Sequence, residues 1–256
     1  MYLRRTSITA RKPKIRLWAV VCWLLVWQGL SMALGVELLL ASPLAALRRL
    51  LQLAVTLPFW QAVAWSAGRI LGGFLIACLL AVLCAALASR FVRFRELLAP
   101  LVATVKAIPV ASFIILALVW VSSRNLSLLI AALMVFPVVY GNVLTGILQT
   151  DPALLEMAQV FRVPFSRRLR GIYFPQVLPY FRTAVSLGLG LCWKAGVAAE
   201  VIGLPGGSIG ERLYTAKIYF ETADLFAWTA VIVAVSVVFE KLFLRGVDAL
   251  VRKAGG

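Results

Sequence analysis

Long apolar runs separated by short polar segments make up most of this chain. Six windows are predominantly apolar, and none of them holds more than two charged side chains. A helix needs roughly 20 apolar residues to cross the hydrocarbon core of a bilayer, and lipid offers its backbone groups no hydrogen-bond partner. The pattern therefore predicts an all-α integral membrane protein with about six transmembrane helices, in the windows 17–34, 70–88, 103–121, 126–148, 178–199 and 225–244.

The charge distribution predicts how the chain is oriented. Apolar residues make up 62% of the chain and charged residues 14%, with a net charge of +16. If the N-terminus is cytoplasmic, seventeen Lys and Arg residues lie on that side of the membrane and five on the other. The positive-inside rule therefore predicts two cytoplasmic termini, with 1–16 as a basic segment and 17–256 as one transmembrane domain. Because topology explains the positive charge, we expect no nucleic-acid partner.

Side chains for catalysis are scarce. The chain has no His, and its ten acidic residues are scattered rather than paired. The commonest general base and the usual metal-ligand spacings are therefore missing, and no GxxxxGK[ST] motif is present to bind ATP. We expect no catalytic residue, no metal site and no cofactor in this chain, and an energy source in another subunit or an ion gradient.

A polar segment, residues 151–177, separates the fourth and fifth windows; we call it the hairpin. Asp151 is a suitable N-cap with Pro152 at the first helical position, so a short amphipathic helix is expected from there to Phe161. Pro164 ends this helix, because the residue before a proline is pushed towards extended geometry. A second short helix is expected over 165–174. The charge asymmetry places the hairpin in the cytoplasm, where an ordinary positive-inside loop is the alternative.

The hairpin carries a spaced set of residues that resembles a family signature. Inner-membrane permeases of ABC importers share the EAA signature, EAA-x3-G-x9-I-x-L-P. Glu156 and Ala158 match its first part, and Ile172 and Pro175 match its last part. The six-window layout, with the signature before the penultimate window, is similar to the same family.

Three positions depart from the signature. Met157 replaces the middle Ala, and Phe174 replaces Leu. Arg162 stands where the family has Gly, a residue suited to the left-handed turn that closes a helix. The geometry of that turn is therefore open, and Pro164 offers another way to end the helix.

The resemblance extends over roughly residues 60–245, to the branch serving nitrate, sulfonate, taurine and related solutes. It implies the type I ABC importer permease fold, in the bacterial inner membrane, with a second permease copy as partner. It also implies two cytoplasmic ABC ATPase subunits, which hold the ATP and Mg, and an extracytoplasmic solute-binding protein. Glu156 is expected to pair with a nearby arginine or helix end. The hairpin would dock on the ATPase, with Glu156, Met157, Ala158, Phe161, Arg162, Ile172 and Pro175 as coupling residues.

Two lysines fall within apolar windows, where a lone charge costs about 2.5–3.5 kcal/mol. Lys106 and Lys194 have no acid in their own windows close enough to neutralise them. With Pro109 and Gly188, they are candidates for a translocation pathway that offers positive potential to a small anionic organic solute. Snorkelling to the interface is the alternative for both lysines.

Other interpretations are kept beside the permease subunit. An ion-coupled secondary transporter needs titratable residues along its path and commonly shows an internal repeat, which this sequence does not display. A membrane-embedded transferase is disfavoured because acids are not clustered and His is absent. The segment 203–224 is expected to form a gate, a docking surface for the binding protein or a plain connector.

Overall fold

The computed structural model describes residues 17–35 and 38–254, and every regular element among them is helical. The predicted basic segment 1–16 lies outside these residues. The elements are α1 (Leu17–Leu34), α2 (Pro43–Ala54), α3 (Leu57–Arg90), α4 (Val92–Ala107), α5 (Val110–Ala117), α6 (Ser123–Leu148), α7 (Pro152–Val160), α8 (Phe165–Arg168), a π-helical turn (Leu169–Tyr173), α9 (Phe174–Gly203), α10 (Ile209–Ile218) and α11 (Thr222–Ala254).

Helices α3, α6 and α9 form the centre of the fold. Glycines allow their backbones to approach closely, which is how helices associate where lipid provides no hydrophobic driving force. A Cβ on Gly73 would lie 2.2 Å from the Leu128 carbonyl oxygen, and one on Gly196 would lie 2.6 Å from Ile70 Cγ1. The core between the helices is closed by Phe74, Val135, Leu189 and Trp193, which are almost completely buried.

The predicted helical class is confirmed, but not every window is one continuous span. Among the described residues, four helical runs are long and apolar enough to cross a membrane: Leu57–Arg90, Ser123–Leu148, Phe165–Gly203 and Thr222–Ala249. Helix α1 coincides with the first window, and its 18 residues correspond to about 27 Å.

The window 103–121 is not one continuous helix, because it is broken at Pro109, the proline that the sequence predicts to kink this span. Helices α4 and α5 meet at an angle of 106°. Ile108 has extended geometry, with ψ of 130°, because the next residue is Pro109. Pro109 has no N–H with which to continue the helical ladder, so α4 ends at Ala107. A second proline, Pro137, lies inside α6 without interrupting it.

Helices α2 and α10 lie against the start of α3 and the start of α11. The guanidinium group of Arg49 on α2 binds Asp224 on α11 through two nitrogens, with Nη2 3.1 Å from Oδ2. The hydrogen bond with Asp224 raises the pKa of Arg49 from its ordinary value. The hairpin precedes α9 and α10 follows it, so the two segments lie at opposite ends of a helix about 45 Å long.

Candidate coupling site

The first arm of the hairpin is helix α7, and its start is the predicted one. Asp151 Oδ1 accepts a hydrogen bond from the backbone N–H of Ala153 at 2.9 Å, and Pro152 lies at the first helical position. The cap satisfies one amide group that the helix start leaves without a partner, and proline has no amide hydrogen to leave unsatisfied. The prediction of this helix start is confirmed.

A left-handed residue, Arg162, with φ of 49°, closes the turn that follows the end of α7. The Arg162 N–H donates to the Gln159 carbonyl at 3.1 Å, and the Val163 N–H donates to the Ala158 carbonyl at 2.8 Å. These two bonds form a Schellman motif, which satisfies the last carbonyl groups of a helix. Arg162 therefore makes the turn for which the signature has Gly, at a conformational cost of about 1–2 kcal/mol.

Two hydrogen bonds close the base of the hairpin where α6 ends and α9 begins. The backbone N–H of Asp151 donates to Gln176 Oε1 at 2.9 Å, and the Tyr180 hydroxyl donates to Gln149 Oε1. A Cβ on Gly146 would lie 2.9 Å from Tyr180 Cδ2, so glycine lets α6 and α9 approach here. The sequence analysis missed these four residues, because single polar and glycine positions at span ends carry no distinctive spacing. These residues hold the ends of α6 and α9 together at the base of the hairpin.

The second arm of the hairpin differs from the prediction. A separate helix over 165–174 was expected, but α8, the π turn and α9 form one helical run from Phe165 to Gly203. The Phe174 N–H donates to the Leu169 carbonyl, five residues back. This wider turn precedes Pro175, which cannot donate to the ladder, so the helix passes the proline without ending. Ile172 is half-buried within the turn, and Pro175 is exposed.

The outer face of the hairpin is apolar and exposed. The exposed fractions are 49% for Met157, 78% for Val160, 74% for Phe161 and 65% for Phe165; we call these four residues the hairpin patch. Ala158 differs, because only 1% of its surface is exposed. Its prediction as a coupling residue stays a prediction, but its side chain packs inside this chain rather than on the outer face.

Glu156 is exposed and forms no ion pair or hydrogen bond through its side chain with any described residue. The expectation that it pairs with a nearby arginine or helix end is therefore wrong within the part of the chain that the structure describes. The shape of the hairpin is held instead by the Asp151 cap, the Arg162 turn and the bonds at its base. Any role for Glu156 in coupling depends on a group outside the described residues.

The pathway candidates lie on different helices. Lys106 is exposed in the last turn of α4, next to the break at Pro109, which is also exposed. Lys194 on α9 is exposed although Trp193 and Ala195 beside it are buried. Gly188 is buried, and a Cβ there would lie 3.3 Å from Val135 Cγ1 and 3.5 Å from Phe74 Cε2. Its immediate neighbours are therefore core side chains.

The sequence profile of the family described as "Binding-protein-dependent transport system inner membrane component" matches residues 73–255. This region includes most of α3 and all later helices, the hairpin among them. The chain therefore belongs to this family of inner-membrane permeases.

Individual relatives are 24–28% identical to this chain. A Bacillus subtilis (strain 168) protein provisionally named an aliphatic sulfonates transport permease is 28% identical over 60% of this chain and 56% of its own length. The taurine transport system permease protein of Escherichia coli (strain K12) is 26% identical over 89% of this chain and 83% of its own. The nitrate import permease protein of Synechococcus elongatus is 24% identical over 83% of this chain and 81% of its own.

Proposed function

We propose that this chain is the transmembrane permease subunit of an ATP-driven ABC importer, and that the hairpin transmits ATP-driven motion from a partner subunit to the spans. Membership of the binding-protein-dependent transport family supports the class of protein. The coupling role is carried by one observation: an apolar, exposed patch lies on a segment whose base is closed by hydrogen bonds between the ends of α6 and α9.

Closure of an ATPase dimer can move the membrane helices only through an element that is held firmly by the ATPase subunit and by the permease. The connection between the two subunits must therefore be rigid. The hairpin has that rigidity. The Asp151 cap fixes the start of α7, the Arg162 turn fixes its end, and the helix continues unbroken from Phe165 into α9. A push on α7 is therefore transmitted to α6 and α9 rather than absorbed in a loop.

The hairpin patch supplies the surface for that contact. Phe161 and Val160 are exposed by more than 70%, and they lie outside the apolar runs that face lipid. Exposed apolar groups on a short helix fit a groove on a partner protein, where burial of their area stabilises the complex. The partners in this proposal are two ABC ATPase subunits carrying ATP and Mg, a second copy of the permease, and an extracytoplasmic solute-binding protein.

The proposed solute is small and carries an anionic group. The relatives are named for sulfonates, taurine and nitrate, all of which contain such a group. Lys106 and Lys194 are exposed and make no ion pair with any described residue, so both are available to face a pathway between paired permeases. The break at Pro109 favours an aqueous cavity, since backbone groups left open by a broken helix need water or protein around them.

The test is purification of the tagged chain with its associated subunits, followed by uptake of taurine, an alkanesulfonate and nitrate into proteoliposomes. We expect an ATPase to copurify and uptake to require ATP. Uptake that is driven by a proton or sodium gradient without ATP would establish the secondary-transporter alternative and overturn the proposal.

A substitution of Lys194 tests the proposed pathway for the anion. Lys194→Gln should lower uptake of the anion severalfold, because it removes positive potential while leaving a polar side chain nearly as long, and Lys194→Arg should retain more uptake. Lys241→Gln, at an exposed lysine of α11, is the matched control and should behave as the parent. Parental uptake by Lys194→Gln would mean that this lysine is an interfacial anchor.

A further inference from the structure

A fully buried carboxyl group links α3, α9 and α10. Glu200 on α9 has no exposed surface, and its Oε2 accepts hydrogen bonds from Ser66 Oγ at 2.7 Å and from the Gly210 N–H at 3.2 Å. Ser66 Oγ in turn accepts one from the Ile209 N–H at 2.9 Å. An ionisable side chain buried in a membrane helix is costly and by default marks a functional site. The coupling role of the hairpin does not use this group.

The bonds hold the start of α10 onto the end of α9. Ile209 and Gly210 carry the first amide groups of α10, which have no partner inside that helix and are satisfied by Ser66 and Glu200 instead. The carboxyl group also lies at the positive end of the α10 dipole. A Cβ on Gly210 would lie 2.3 Å from Glu200 Cβ, so only glycine permits this contact.

Left-handed residues lie on both sides of α10. Leu204 has φ of 50° and Gly207 has φ of 81° before the helix, and Phe220 has φ of 56° after it. Leu and Phe carry about 1–2 kcal/mol of strain each in this region, and strained residues of this kind cluster at segments that switch. The inward side of α10 is nonetheless tightly covered: the exposed fraction is 0% for Ile209 and 3% for Ala216.

The polar cluster around Glu200 is incomplete. Ser127 of α6 lies beside the Glu200 carboxyl group, but neither its hydroxyl nor Glu200 Oε1 has a hydrogen bond of good geometry with any described residue. A buried polar group without a hydrogen-bond partner destabilises the fold, and a hydrogen bond to water removes that cost. Entry of water would therefore satisfy both groups and compensate for the bonds lost when α10 separates from α9.

We propose that Glu200 is a positioning residue for transport, which keeps α10 seated on α3 and α9 in the closed conformation and lets it lift as a lid during the transport cycle. The lid lies at the end of α9 opposite the hairpin, so one continuous helix joins the coupling site to the lid. This inference rests on the proposed function, because ATP binding in the partner subunits provides the energy for lifting.

The direct test measures exposure of the buried side of α10 in the assembled complex. Ala216→Cys places a thiol on that side, and Thr215→Cys places one on the neighbouring exposed position as a matched control. Both are made in a background without the native cysteines, Cys22, Cys78, Cys84 and Cys192. Maleimide labelling of the complex in nanodiscs is compared without nucleotide and after trapping with ATP and vanadate.

We expect the labelling rate of Ala216→Cys to rise about tenfold or more on trapping, as local opening exposes the thiol, and that of Thr215→Cys to stay unchanged. A complex that hydrolyses ATP but never labels Ala216→Cys faster would overturn the lid. A chain that copurifies with no ATPase would instead overturn the proposed function, so the two failures are distinguishable.

Two further variants separate positioning from general stability. Glu200→Ala should make Ala216→Cys label fast without trapping, and Glu200→Gln should restore slow labelling, because its amide oxygen still accepts from Ser66 and Gly210. Gly210→Ala displaces α10 by steric contact and should act like Glu200→Ala, whereas Gly206→Ala, with nothing within 4 Å of the added Cβ, should act like the parent. Slow labelling of both Glu200→Ala and Gly210→Ala in complexes with basal ATPase activity would contradict the proposal.

Discussion

The short helices α7 and α10 lie at opposite ends of α9 and share their local construction. Each starts at a residue whose side chain accepts a backbone N–H: Asp151 for α7 and Ser208 for α10. Each is followed by a non-glycine residue in the left-handed region, Arg162 and Phe220 respectively. Their burial differs. α7 leaves Met157 and Val160 exposed, whereas α10 buries its first residue, Ile209, completely.

This difference shows that caps and turns fix where a short helix begins and ends, whereas the burial of its side chains indicates what the helix contacts. α7 is fixed at its ends and at the hairpin base, and the apolar side chains of Met157 and Val160 remain exposed for another protein. α10 is fixed through its inward side to this chain, by Glu200 and Ser66. This difference agrees with the two proposals, in which α7 contacts another subunit and α10 moves within this one.

The largest expected effect is on binding of the ATPase through the hairpin patch. The double variant Val160→Glu, Phe161→Glu places two charges at an apolar contact, and loss of hot-spot residues typically costs about 2 kcal/mol or more, a reduction in affinity of roughly 30-fold. Affinity is measured between the purified permease in nanodiscs and the ATPase subunit. Gln159→Glu adds a charge at an exposed polar position between α7 residues and is the control. Equal affinity of the double variant and the parent would mean that the ATPase binds elsewhere.

The next effect is on folding stability, and it separates the buried and the exposed sides of α7. Ala158→Glu introduces a charge at a position that is 1% exposed, and burying it without a partner should destabilise the chain by roughly 2 kcal/mol or more. The thermal midpoint of the purified permease should then fall by about 4–8 °C. Phe161→Glu, at a position 74% exposed, should leave the midpoint unchanged. The reverse order of the two midpoints would contradict the assignment of these sides.

Much of this fold follows from patterns that extend over many residues. The apolar windows predicted the helical class and most of the long helices, because lipid leaves a chain few other ways to satisfy its backbone. The Asp151 cap was also predictable, since an N-cap acts within three residues of itself. The break at Pro109 was foreseeable as a kink, but its 106° angle depends on how α4 and α5 pack against the other helices.

The candidate site was predicted less completely, because contacts between distant residues decide its details. The signature located the hairpin, yet it could not tell that Ala158 faces inward and Val160 outward. Glu200 was not among the candidate residues that the sequence indicated. Its partners Ser66 and Gly210 are 134 and 10 residues away, so no local spacing could reveal the cluster.

The smallest expected effect concerns the strained turns beside the two short helices. Arg162→Gly removes a left-handed strain of about 1–2 kcal/mol and adds roughly 0.5–1 kcal/mol of backbone entropy cost, so the permease should gain about 0.5–1 kcal/mol. Leu204→Gly relieves similar strain, but Leu204 is only 39% exposed and its lost burial should offset the gain. The thermal midpoints of the two purified variants measure both effects, and we expect the midpoint of Arg162→Gly to rise by about 1–4 °C. Arg162→Ala removes the same side chain and keeps the strain, so it should show no gain; if it matches Arg162→Gly, the arginine side chain rather than its backbone conformation is the destabilising feature.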